Sequence, residues 1–150
     1  MVIKVLRLLT TILGVGLAAV FAAPVLADEV TAVRFGAHPD RTRIVVETSA
    51  PIEARALTLA EPTERLVLEL PRGARFAVPG LDGRGRSSVD GVGAFMFDDR
   101  AGAPRLVFDL DGPYAVRNQM SLAPANGGGH RTVIDLAPVS QATFIQASGF

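Results

Sequence analysis

A short alternating motif occurs four times in this chain and constrains its fold more than any other feature. Each copy places an arginine, a valine and an acidic residue at every second position: Arg43-x-Val45-x-Glu47, Arg65-x-Val67-x-Glu69, Arg105-x-Val107-x-Asp109 and Arg131-x-Val133-x-Asp135. The intervening positions are almost all apolar, as Ile44 and Val46 are in the first copy. Because successive side chains of a β-strand point to opposite faces, each copy predicts a half-buried strand whose apolar side chains face a core.

The four copies fall into two halves that match each other at a fixed spacing. Arg105 lies 62 residues after Arg43, and the same spacing relates Pro113 to Pro51. The match runs without a gap from residues 30–62 to residues 92–124, after which the second half inserts residues near Asn126-Gly127-Gly128-Gly129. Loops tolerate such insertions, and a repeated strand pattern is typical of an internal duplication. We therefore expect the two halves to superpose, each forming its own sheet.

Turn signals divide residues 28–150 into eight short predicted strands. The apolar residues of this region show no helical periodicity. The predicted strands are Ala32–Phe35, Thr42–Thr48, Glu53–Leu59, Arg65–Leu70, Val92–Phe97, Arg105–Leu110, Ala115–Leu122 and Arg131–Leu136. Short strands at this spacing are typical of an all-β sandwich or barrel. With four strands in each half, the pattern predicts an all-β sandwich of two pseudo-symmetric four-stranded sheets that arose by internal duplication.

The first 27 residues have the pattern of a signal peptide. Lys4 and Arg7 precede an apolar run, and the small residue Ala27 fits a cleavage site just before Asp28. A retained membrane anchor is the alternative, although the run is short for a membrane span. The sequence thus predicts a signal peptide at 1–27, one domain at 28–138 and a linker or truncated tail at 139–150. After cleavage we expect no association with the membrane.

The charge balance argues against a nucleic-acid partner. Once Lys4 and Arg7 leave with the signal peptide, 13 arginines face 15 acidic residues, so there is no excess of positive charge. Proteins that bind nucleic acid usually carry a basic surplus. The chain has no cysteine, which is compatible with an exported domain that folds without disulfides.

The sequence offers little for catalysis. His38 and His130 are the two histidines, both in predicted turns, and no metal-binding spacing links them. The neighbouring acids Asp98 and Asp99 resemble a solvated turn more than a pair of catalytic carboxylates. The glycine-rich residues 80–86 lack the strand and helix that flank a phosphate-binding loop. We therefore predict no enzyme activity, no catalytic or metal-binding residues and no cofactor.

Arginines are the candidate binding residues. All cations after residue 27 are arginines, which codon bias alone could explain, although guanidinium groups also bind carboxylates in a bidentate manner. Four lie in the strand motifs and four in a connector at residues 72–88 whose local net charge is +3: Arg43, Arg65, Arg105 and Arg131, then Arg72, Arg75, Arg84 and Arg86. The strand arginines could form an ordinary ion ladder with the acids of neighbouring strands, or they could belong to a recognition surface.

The segments Thr42-Arg43-Ile44-Val45-Val46-Glu47 and Arg65-Leu66-Val67-Leu68-Glu69-Leu70-Pro71, with Pro51 between them, resemble the AMIN domain. The resemblance covers about residues 30–138. It implies an exported, periplasmic β-sandwich that binds peptidoglycan and localises its carrier, often at the division site, with envelope or division proteins as possible partners.

The resemblance leaves more than one function open. AMIN domains stand at the N-terminus of periplasmic N-acetylmuramoyl-L-alanine amidases and also occur in secretins. The leading interpretation is a non-catalytic peptidoglycan-binding or targeting module, the N-terminal part of such an amidase. The alternative is an assembly or docking module of a secretin-type envelope complex. An autonomous hydrolase fits the residues least well.

Overall fold

A computed structural model describes residues 28–149, so the signal peptide predicted at 1–27 lies outside the described residues. The described part is all-β except for a 3-10 turn at Arg100–Gly102 and one short α-helix, which confirms the predicted fold class. The strands are β1 (Glu29–His38), β2 (Arg41–Thr48), β3 (Arg55–Leu59), β4 (Arg65–Glu69), β5 (Arg75–Phe76), β6 (Arg84–Arg86), β7 (Val92–Asp98), β8 (Arg105–Leu110), β9 (Tyr114–Leu122) and β10 (His130–Pro138), followed by α1 (Gln141–Ala147). All eight predicted strands are present, with ends shifted by a few residues.

The strands form two sheets of five, not the two sheets of four that the sequence predicts. Sheet A has the order β5-β1-β2-β10-β9, and sheet B has the order β3-β4-β8-β7-β6. The expectation that each half of the chain forms its own sheet is wrong, because β1 and β2 pair with β9 and β10, while β3 and β4 pair with β7 and β8. The alternating pattern assigns a strand's two faces but not its neighbours, so it could not distinguish these arrangements.

The apolar positions of the motif fill one core between the sheets. Ile44 on β2 lies opposite Ile134 on β10, and Leu66 on β4 lies opposite Phe108 on β8, all with no exposed surface. The rings of Phe35 in sheet A and Phe108 in sheet B meet edge to face with centroids 6.3 Å apart. Each Å² of apolar surface that is buried stabilises the folded state by about 25 cal/mol, so this shared core holds the two sheets together.

The connector at residues 72–88 is not a plain loop. It adds β5 to the edge of sheet A, parallel to β1, and then β6 to the edge of sheet B, antiparallel to β7. Phe76 of β5 packs against Phe97 of β7, with ring centroids 5.8 Å apart. The connector therefore crosses from one sheet to the other and covers one side of the molecule with an aromatic contact.

The segment predicted as a linker or truncated tail also packs on the domain over its described residues, 139–149. Ser140 caps the N-terminus of α1 by accepting a hydrogen bond from the backbone N–H of Thr143. Phe144 points into the core with no exposed surface, and the N–H of Gly149 donates to the carbonyl of Thr58 on β3. A single buried aromatic residue in a short helix produces no helical periodicity, which is why the sequence pattern did not reveal it.

The same side of the molecule is bridged by a side-chain amide. Gln119 on β9 accepts a hydrogen bond from the N–H of Ala56 and donates to the carbonyl of Ala54, at 3.1 and 2.6 Å. It thereby joins the edges of sheets A and B. Among residues 28–149, no helix is long and apolar enough to cross a membrane.

Candidate functional site

The candidate arginines lie on several separate surfaces. Arg43 and Arg131 are on the outer face of sheet A, where they alternate with core residues. Sheet B carries four on its outer face: the motif residues Arg65 and Arg105 and the connector residues Arg84 and Arg86. The other two connector arginines are Arg75, on β5 at the edge of sheet A, and Arg72, which precedes this strand. The eight residues therefore do not form a single site, and their individual partners decide which of them can bind a ligand.

Arg43 forms the cross-strand ion pair that the motif predicts. Asp135 lies directly opposite it on β10, and the guanidinium Nε and Nη2 donate to the two carboxylate oxygens at 2.7 and 2.9 Å. These hydrogen bonds hold the pKa of Asp135 below its usual value and raise the pKa of Arg43. Both charges are satisfied within the fold, so Arg43 is a structural residue.

The other predicted cross-strand ion pairs do not form, although the strand register is as the ladder requires. Arg131 lies opposite Glu47, yet Glu47 binds Arg34 of the neighbouring strand in a bidentate pair at 2.9 and 2.7 Å. Arg131 instead donates to the carbonyl of Ala123. Long side chains reach diagonal neighbours as easily as opposite ones, so register alone does not decide the ion pairs.

On sheet B the two motif arginines are also engaged. Arg105 lies opposite Glu69 but donates to Asp98 on β7 at 2.9 Å. Arg65 lies opposite Asp109 but donates to the backbone carbonyls of the Glu61–Thr63 turn. All four motif arginines therefore have partners inside the domain.

The four connector arginines differ in this respect. Among residues 28–149, no carboxylate lies within 4 Å of the guanidinium nitrogens of Arg72, Arg75, Arg84 or Arg86, and all four residues are exposed. An exposed guanidinium group without an internal partner keeps its donors available for an external carboxylate. The connector arginines are thus the better candidates for binding.

Arg84 and Arg86 border a groove on the outer face of sheet B. Its volume is about 530 Å³, with Met96 and Val107 on its floor and Asp109 on its wall. Gly85 lies between the two arginines, and a Cβ there would overlap the ring of Phe95. The glycine therefore lets Phe95 fill the core directly beneath β6, while the flanking side chains emerge on the opposite face.

The groove floor continues as an apolar row across sheet B. The strand register aligns Met96, Val107, Val67 and Leu57 from β7 to β3. Val67 and Val107 belong to the repeated motif, whereas Met96 and Gly85 lie outside it. Met96 could have been assigned to the outer face from the sequence, because Ala94 and Met96 alternate with the apolar residue Phe95.

Arg72 and Arg75 line two other depressions. Arg72 lies with Arg105 and Glu69 around a pocket of about 270 Å³. Arg75 lies beside a groove of about 450 Å³ that is lined in part by Phe76, Phe97, Asp82 and Asp99. Two carboxylates in this groove compete with an acidic ligand, against one, Asp109, and two arginines in the groove bordered by Arg84 and Arg86, which is therefore the stronger candidate.

The two histidines and Asp98 are residues that could serve in acid–base catalysis or metal binding. His38 lies opposite Arg41 and His130 lies opposite Thr48, so the two histidines sit at opposite ends of β2, about 23 Å apart along the strand at about 3.3 Å per residue. Hydrogen bonds from Arg105 and Arg100 lower the pKa of Asp98, which disfavours proton donation by this carboxyl. Among residues 28–149, no three His, Asp or Glu side chains are grouped to hold a metal ion.

Comparison with protein-family models gave no match, and a search of curated proteins gave no relative. Any functional conclusion therefore depends on the residues and geometry described above.

Proposed function

We propose that residues 28–149 form a periplasmic, non-catalytic module that binds peptidoglycan through the groove bordered by Arg84 and Arg86. The observation that carries this proposal is the contrast among the arginines: the motif arginines are engaged within the domain, whereas these two are exposed and lack an internal carboxylate partner. Peptidoglycan stem peptides carry free carboxylates, which guanidinium groups bind with bidentate geometry.

The groove also offers apolar contact between its charges. Met96 and Val107 form a floor on which small alkyl side chains of a stem peptide can pack. A single exposed ion pair contributes only about 0–1 kcal/mol, so each contact is weak. The many repeats of the polymer compensate for these weak contacts. A module that leaves one stem peptide is close to others and rebinds at high effective concentration.

We also infer that the domain arose by internal duplication and is of the AMIN type. The sequence spacing of 62 residues makes β1 and β2 equivalent to β7 and β8. The strand order supports this, since β1-β2-β10-β9 in sheet A has the same pattern as β7-β8-β4-β3 in sheet B. In this scheme the equivalent halves exchange strands between the sheets, and β5 and β6 are additions at the edges.

The role that follows is targeting. A wall-binding domain behind an export signal localises whatever is attached to it, and we propose an N-acetylmuramoyl-L-alanine amidase as the carrier. The alternative is an assembly or docking module in a secretin-type envelope complex. Envelope or division proteins are compatible partners in both cases.

Co-sedimentation with purified cell-wall sacculi tests the proposal. Residues 28–150 should pellet with sacculi, and the double variant Arg84→Gln/Arg86→Gln should lose most of this binding. The matched control is Arg55→Gln/Arg117→Gln, which also removes two exposed positive charges, from β3 and β9. We expect the control to pellet as the unchanged domain does.

Salt provides a second criterion. Because exposed charges are screened beyond about 8 Å at physiological ionic strength, raising the salt concentration should release the domain from sacculi. Equal loss of binding in the test and control variants would mean that overall charge, not the groove, drives pelleting. If the unchanged domain never pellets, wall binding is refuted and the assembly alternative becomes the better explanation.

A further inference from the structure

Strand β6 presents an unpaired backbone edge. In the part of the chain that the structure describes, it is the last strand of sheet B and pairs only with β7. The carbonyl of Gly83 accepts from Phe97, and the N–H of Ser87 donates to Gly93, so these residues point toward β7. Because backbone groups alternate in direction along a strand, the N–H and C=O groups of Arg84 and Arg86 point away from β7, toward the open edge.

These backbone groups have no hydrogen-bond partner within residues 28–149. Among residues 28–149, no hydrogen bond from a loop, turn or side chain reaches the backbone of Arg84 or Arg86. The same two residues carry the exposed guanidinium groups at the border of the groove. Two donors, two acceptors and two positive charges therefore lie side by side along one short edge.

We propose that β6 pairs with an extended acidic segment of a protein partner, which adds to sheet B as a sixth, antiparallel strand. In an antiparallel pair, directly opposite residues have side chains on the same face and, at every second position, exchange both backbone hydrogen bonds. Residues opposite Arg84 and Arg86 would therefore place their side chains beside the guanidinium groups. The preferred partner has acidic residues at those two positions, separated by one residue of any type.

This inference goes beyond wall binding, because it requires a regular backbone in addition to carboxylates. A segment of L-residues continues the ladder, whereas stem peptides of mixed chirality do not keep the alternation of side chains and amides. The partner is therefore a polypeptide with an Asp/Glu-x-Asp/Glu pattern in an extended region. The edge is short and charged, which limits self-pairing of the domain and keeps the added strand readily exchangeable.

A fluorescent peptide that alternates glutamate and threonine over seven residues tests the geometry by polarisation. N-methylation of the glutamate amides removes the donors that should face β6, and loss of two or more hydrogen bonds should weaken binding about tenfold or more. N-methylation of the threonine amides is the matched control, because those donors should face solvent. We expect that control to bind within about twofold of the parent peptide.

Substitutions in β6 separate the backbone from the charge. Arg84→Gln removes the guanidinium group and keeps the backbone N–H. Arg84→Pro removes the guanidinium group and the N–H, and it keeps the pairing with β7 because that N–H points away from β7. Arg84→Pro should bind the peptide clearly less well than Arg84→Gln, while both should pellet with sacculi to the same reduced extent. Thermal unfolding of each variant checks that the fold is retained.

The outcomes distinguish this inference from the proposed function. Sensitivity to glutamate N-methylation supports strand addition even if the domain never pellets with sacculi. No binding of the peptide, or binding that neither methylation changes, refutes strand addition even if the domain does pellet.

Discussion

Replacing Phe144 with alanine tests whether the C-terminal segment belongs to the folded domain. Among the seven described residues of α1, Phe144 alone is buried, and it has no exposed surface. Truncating a fully buried phenylalanine removes its transfer free energy and leaves a cavity, which together cost about 3–5 kcal/mol. We expect the free energy of unfolding to fall by this amount.

Such a loss is large compared with the stability of a typical domain, which is about 5–15 kcal/mol. A domain of this size loses about 3–5 °C of Tm per kcal/mol, so the midpoint should fall by about 10–20 °C. Loss of the ring also leaves the contacts of Ser148 and Gly149 with Thr58 without an anchor. The end of the chain should then become accessible to protease before the rest of the domain unfolds.

Thermal and urea unfolding, followed by circular dichroism, measure this effect. Ile145→Ala is the matched control, because Ile145 is the next residue of the same helix but is 46% exposed. Its replacement should change the free energy of unfolding by less than about 1 kcal/mol, since surface substitutions usually have small effects. Both variants introduce alanine into the same helix, and the main difference between them is whether the side chain removed is buried.

The reasoning would be refuted by equal stabilities. If Phe144→Ala unfolds within about 2 °C of Ile145→Ala, the ring does not contribute to the core and residues 139–149 behave as the linker that the sequence indicates. If both variants are strongly destabilised, helix α1 depends on contacts other than the buried ring.

Three further predictions concern other parts of the domain. Arg43 holds the pKa of Asp135 below its usual value, so the ionised carboxylate stabilises the fold above about pH 4, and this contribution is lost as pH falls through the folded pKa. In Asp135→Asn, the free energy of unfolding measured by urea titration should therefore fall less steeply as the pH is lowered. Gly85→Ala should lower the free energy of unfolding by about 1–3 kcal/mol in urea titration, because the added methyl overlaps the ring of Phe95, whereas the open position Gly80→Asn should have a smaller effect. The purified domain should release no soluble muropeptides from sacculi, with or without zinc, and release would contradict a purely binding role.

The faces of the strands could be predicted from the sequence, and their neighbours could not. Alternation with period two assigns Ile44 to the core and Arg43 to the outer face, and the structure agrees on both. The same alternation is present in all four motif strands, so every pairing among them buries the same kind of side chain. Which strand lies beside which is decided by the loops and by the packing of the whole core.

The candidate site shows the same limit. The sequence indicated that an arginine of one motif strand could lie opposite an acid of a neighbouring motif strand, and the strand register has this arrangement. It did not predict that Glu47 would pair with Arg34, or Arg105 with Asp98, because Arg34 and Asp98 lie on β1 and β7, outside the four motif strands. Only the three-dimensional neighbours separate engaged arginines from available ones.

The two segments without alternation have a common structural role. A pair of stacked sheets has two open sides, and side chains that alternate up and down a strand do not cover them. The connector covers one side by placing Phe76 against Phe97, and the C-terminal segment covers the other with Phe144, beside the bridge made by Gln119. Each open side is covered by only one or two aromatic residues on irregular backbone. The sequence pattern that would predict such a covering segment is therefore weak.

This division also explains where binding is to be expected. On the side closed by α1, the described edge of β3 is already engaged by Gln119 and Gly149. On the side closed by the connector, the last strand ends with the backbone of Arg84 and Arg86 directed outward. An edge strand that is held to the core through Gly85 and Phe95, and that is open on its other side, is rigid enough to pair with an extended chain without reorganising. The arginines that the motif distributes over the sheet faces stabilise the fold, and those that the connector adds at this edge are the ones positioned to bind.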